Sequence, residues 1–145
     1  MSWPRTRRLL AVAVWLAALY GACLGCANFA LSTGGPLEQA AAETSSQVQT
    51  LRLAAVAGVS DPAPTVMLGV VIDDADTALA EAATKVVRVS PEQPRRAELL
   101  ALIDRARELL PEQRAALDTS DDDALRRIRD QLSALSGDLD RWRRE

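Results

Sequence analysis

The chain contains no histidine. Without an imidazole there is no Ser-His-Asp or Cys-His nucleophile pair, no His general base and no His-ligated metal. Aromatics are nearly as scarce, with three Trp, one Tyr and one Phe in 145 residues. Trp3, Trp15, Tyr20 and Phe29 all precede residue 31, which leaves Trp142 as the single aromatic of the remaining sequence. A β-sandwich or α/β enzyme core of this size ordinarily uses several, because aromatics bury the most area per residue. The two cysteines, Cys23 and Cys26, lie near the start, so everything beyond them must be held by its core rather than by a disulfide. There is no Gly-rich phosphate loop and no G-x-S-x-G motif. Neither a catalytic residue, a bound cofactor nor a metal is expected, and the chain reads as a non-enzyme.

What is present is aliphatic. Hydrophobic residues make up 48% of the chain, mostly Ala, Leu and Val, and the first two favour helix. Every basic residue except Lys85 is arginine, a bias that with the abundant alanine suggests GC-rich coding. Net charge is −3, unevenly placed. With Arg5, Arg7 and Arg8 set aside, 14 of the 17 basic side chains remain against all 20 acidic ones, a net −6. That sign argues against a nucleic-acid partner, which needs a basic footprint.

Residues 1–8 form a basic region and residues 9–31 carry no charge, the order of an export signal. As a helix, the 23 uncharged residues reach about 35 Å, enough for a bilayer core of about 30 Å. Three outcomes follow: a retained signal-anchor, a lipoprotein signal cut before Cys23 or Cys26, or a cleaved secretory peptide. In each, the arginines stay cytoplasmic and the chain from about residue 32 lies outside the cytoplasmic membrane. Tyr20-Gly21-Ala22-Cys23 and Cys23-Leu24-Gly25-Cys26 both resemble the bacterial lipobox, in which small residues precede a cysteine that becomes acylated. The resemblance implies Cys23 or Cys26 as a lipidation site. The same pair spells C-x-x-C, but no βαβ context surrounds it, and two cysteines cannot complete a zinc site.

Ser32-Thr33-Gly34-Gly35-Pro36 reads as a linker over residues 32–36. Residues 37–145 then show helical periodicity. The first stretch places Leu37, Ala41, Thr44, Val48, Leu51 and Ala55 on one face. Gly58 to Pro64 reads as a turn. The second runs Leu68, Ile72, Ala75, Leu79, Ala82, Val86 and Val89; its β-branched start, Val66 to Ile72, could instead be a strand, but no partner strand is visible. Ser90, Pro91 and Gln93 form a capping signature. The third stretch runs through Leu99, Leu102, Ile103, Ala106, Leu109 and Leu110, with Pro111 expected to kink or restart it. Ser120 is expected to cap the fourth, whose stripe is Leu125, Ile128, Leu132, Leu135, Leu139 and Trp142. The resulting fold class is all-α: an N-terminal transmembrane or signal helix, then an antiparallel bundle of three to four helices with coiled-coil-like stripes. The first helix, with the smallest core residues, is expected to pack loosely or act as a stalk.

Two acidic clusters, around Asp73–Asp76 and Asp121–Asp123, lack the Gly and the distal bidentate acid of a calcium loop. The first reads as a solvated face and the second as a helix start. Arg141, Trp142, Arg143 and Arg144 suit a membrane surface, with Trp at the interface and arginines on headgroups; Trp142 equally extends the core stripe. The layout is similar to that of small exported helical proteins of GC-rich bacteria whose role is not known. That resemblance implies a membrane-tethered, extracytoplasmic protein that binds another protein or organises the envelope, with homo-oligomerisation open. Two alternatives are a phage-type lysis or envelope-spanning rod, and a bundle that carries a lipid or other small apolar ligand.

Overall fold

A computed structural model describes residues 35–60, 65–89 and 94–145. The membrane or signal segment, Cys23, Cys26 and the Ser90–Gln93 cap lie outside the described residues. The described part of the chain belongs to one compact unit, Gly34–Glu145. It consists of four helices: α1 Pro36–Ser60, α2 Thr65–Val87, α3 Pro94–Thr119 and α4 Asp122–Arg144. No strand occurs among the described residues, and Val66 to Ile72 are helical. None of the four helices is long and apolar enough to cross a membrane.

Each helix packs on its sequence neighbour, and α1 closes the ring against α4. Cross-helix pairs fix the directions. Asp73 and Asp76 of α2 pair with Arg114 and Arg107 of α3, so α3 descends as α2 ascends. Lys85 near the end of α2 pairs with Glu43 near the start of α1 at 2.8 Å. Gln49 Nε2 donates to Ser136 Oγ at 2.7 Å while Gly58, late in α1, lies beside Leu125, early in α4, so α1 runs antiparallel to both α2 and α4. The stripes read from periodicity turn inward. All six residues named on α1 are buried, and so are all six on α4. Burying each large aliphatic side chain contributes about 1.5–3 kcal/mol of transfer free energy.

The first helix is not a stalk. It touches α2 and α4 along its length and also meets α3 across the middle of the bundle, whereas α2 and α4 do not meet. The cause lies in its small core residues. Ala40, Ala41 and Ala55 are fully buried, and a methyl group lets a facing backbone come close. Gln113 of α3 uses that proximity: its side chain is fully buried and its Nε2 donates to the Leu51 carbonyl at 2.9 Å. Its Oε1 is buried without a partner. Thr44, the other fully buried polar residue, satisfies itself by donating to Ala40 O at 2.8 Å.

Three local expectations are corrected. Gly58 is helical, not part of a turn, because α1 continues to Ser60. Pro111, expected to kink or restart α3, does not restart it: the helix runs through the proline as one element. The proline is exposed, so its ring points away from the core and costs chiefly the hydrogen bond it cannot donate. The cap of α4 is Asp121, whose side chain accepts from Ala124 N at 2.9 Å. Ser120 instead takes a left-handed conformation, φ 52°. Ser120 N donates to Leu117 O at 3.3 Å and Asp121 N to Ala116 O at 2.9 Å, the paired bonds of a Schellman motif. Glycine is the usual occupant of that position, since a side chain there costs about 1–2 kcal/mol. Ser120→Gly should therefore raise the urea midpoint of the full chain, by about 1 kcal/mol in unfolding free energy. A lowered midpoint would show that the serine makes a contact worth more than its strain.

Candidate functional site

Part of the bundle's polar surface is engaged in structure. Asp73 and Asp76, expected on a solvated face, are solvent-exposed and form ion pairs there with α3. Arg105 bonds Asp138 at 3.0 Å, and Arg126 bridges Asp122 and Asp123. Exposed pairs of this kind are worth about 0–1 kcal/mol each and act mainly on register. Arg96 closes the C-terminus of α2, donating from Nε to Val86 O and from Nη2 to Val87 O, each at 3.2 Å. Cations there satisfy orphan carbonyls and oppose the helix dipole. Among the described residues, no three His, Cys, Asp or Glu side chains are arranged to hold a metal ion.

The arginine-tryptophan run at the C-terminus separates into two parts. Trp142 is 4% exposed. Its Nε1 donates to Arg95 O at 3.1 Å, and the Arg95 guanidinium stacks over the ring with Cζ 4.0 Å from its centre. Arg95 also donates from Nη2 to the Trp142 carbonyl. Trp142 thus joins the end of α4 to the start of α3, and its ring is not presented to a membrane surface. Arg141, Arg143 and Arg144 are exposed, Arg141 pairing with Asp138 at 3.2 Å.

The feature that structural needs leave unexplained lies on α1 and α2. Among the described residues six large apolar side chains are exposed, Leu53, Val56, Val66, Met67, Val70 and Val87, and all six belong to those two helices. Val66 is 80% exposed, Met67 65% and Leu53 62%, values far from those of a core residue. The register set by Glu43 and Lys85 brings the last turns of α1, carrying Leu53 and Val56, alongside the first turns of α2, carrying Val66, Met67 and Val70. Five exposed aliphatic side chains are thereby gathered at one end of the bundle. Scattered surface apolar residues are ordinary, but gathered ones mark an interaction site.

Charge distinguishes the same two helices. Together α1 and α2 carry six carboxylates and two basic residues, whereas α3 and α4 carry ten and eleven. Glu38, Asp74 and Glu81 of the first pair are exposed and form no salt bridge among the described residues. Further along α2, an open groove of about 520 Å³ is lined by Asp76, Thr77, Ala80, Glu81, Thr84, Lys85 and Arg88. Its lining comes from α2 and from Arg88 just beyond it.

Periodicity alone passed over these residues. Val66, Met67 and Val70 lie off the Leu68, Ile72, Ala75, Leu79 stripe, and a projection down α2 puts Val66 and Val70 opposite the core and Met67 on its flank. That displacement is the signal that finds them. No family model matches the chain, no curated protein matches it, and no solved structure matches its fold.

Proposed function

We propose that the chain is a non-catalytic helical protein, tethered to the bacterial cytoplasmic membrane by its N-terminal segment, whose extracytoplasmic bundle binds another protein. The observation that carries the binding half is the confinement, among the described residues, of exposed large apolar side chains to α1 and α2. Gathering five of them at one end of the bundle costs solubility and contributes nothing to the core, and a partner that covers them accounts for the arrangement. The tether rests on the basic residues and the 23 uncharged residues that follow them. Side-by-side packing of the four helices favours this reading over an envelope-spanning rod.

Two measurements test it. A periplasmic-active phosphatase fused after Glu145 should be active in a bacterial host; an inactive fusion overturns the placement. A photoreactive residue at Met67 should give a discrete cross-linked protein adduct in cells, and one at Arg129 on α4 should not. Adducts at both positions, or at neither, overturn the binding face.

A further inference from the structure

We propose that the α1–α2 face receives a basic amphipathic helix of the partner. Its apolar stripe would cover Leu53, Met67 and Val70, and its cations would reach Asp74 and Glu81. This inference rests on the protein-binding reading and names the chemistry of that partner. A helix laid into a groove is read through anchors at i, i+3 or i+4 and i+7. Between Met67 and Glu81 the face runs about 21 Å along α2, which a helix of about 14 residues spans.

Charge selects among occupants. Asp74 and Glu81 are exposed and form no salt bridge among the described residues, on a helix pair with a threefold excess of carboxylates over basic groups. An anionic lipid surface or a nucleic acid is repelled by that excess. A second copy docking through the same patch meets a similar obstacle. A two-fold contact is made by one patch against itself, so it sets acidic faces opposite one another. A helix flanked by Lys or Arg removes the mismatch and covers the aliphatic side chains in one step.

The test uses the full chain in mild detergent and two synthetic 18-residue helical peptides with identical Leu anchors, one flanked by Lys and the other by Glu. The Lys peptide should bind at least about tenfold more tightly at low salt, with the preference shrinking as ionic strength rises. Met67→Asp should weaken that binding by about tenfold or more. The double variant D74K/E81K should invert the preference between the peptides, and Arg129→Glu on α4 should leave both affinities unchanged. Equal affinity for the two peptides, binding of neither, or a Met67→Asp-sensitive dimer that excludes the Lys peptide would each overturn the proposal. If the cellular adduct at Met67 persists while the charge preference is missing, this inference falls and the protein-binding reading stands. Loss of the adduct overturns that reading itself.

Discussion

Trp142→Ala should lower the unfolding free energy of the full chain by about 4 kcal/mol. Three losses coincide. The ring is buried at 4% exposure, so truncation leaves a cavity at the end of the bundle that the last turn of α4 cannot close. The Nε1 bond to Arg95 O disappears, and with it the stacked guanidinium. Arg95 then loses the surface that holds it over α4, and the start of α3 loosens with it. The shift corresponds to roughly 15 °C in melting temperature for a domain of this size. Melting followed by far-ultraviolet circular dichroism measures it. Trp142→Phe separates the contributions, since a ring remains while the N–H is gone; a loss of about 1–2 kcal/mol is expected. Equal losses from Phe and Ala would mean that the hydrogen bond, and not the packed ring, carries the effect.

Gly58→Val should cost about 3 kcal/mol, although glycine is the poorer helix former by about 1 kcal/mol. A Cβ built at Gly58 would sit 2.7 Å from Leu117 Cδ2 and 3.0 Å from Leu125 Cδ1. Both leucines are buried, at 6% and 1% exposure, so neither has much room to turn away. Valine adds two methyls beyond that Cβ and forces α1 away from the α3–α4 turn. Gly69 provides the control, because nothing lies within 4 Å of its Cβ position. Gly69→Ala should leave stability unchanged or raise it by up to about 1 kcal/mol. Urea titration of the two variants side by side tests the contrast, and a Gly58→Val midpoint at or above wild type would show that the leucines yield freely.

These two sites mark where legibility in the amino-acid sequence ends. The stripe Leu125, Ile128, Leu132, Leu135, Leu139, Trp142 is visible because one buried face repeats with the helical period, and every residue of it is buried. Gly58 was unreadable for the opposite reason. Glycine before Ser-Asp-Pro signals a turn, and only the approach of α3 and α4, distant in sequence, gives it a helical use. Ser120 and Asp121 share a difficulty. Both are good caps, and the choice depends on which carbonyls of α3 remain unpaired. The loose first helix was inferred from small side chains, yet those side chains let α1 reach α3 as well as its neighbours. The candidate face was legible only in negative: Val66, Met67 and Val70 break no period, and an outward valine looks like an inward one until the stripe beside it is assigned.

The ring of packed helices closes through α1 and α4, the two helices farthest apart along the chain, as in the bond between Gln49 and Ser136. Synthesis begins at the amino end, so α1 is made first and must wait longest. Its alanine-rich side has a neighbour in α2 early, but no complete seat until the final 24 residues have appeared. A chain halted before Asp122 would hold three helices around an open slot, with Gln49 lacking its partner Ser136. Proteases that survey half-finished chains would find α1 at that moment, and completion of the last helix withdraws it from them.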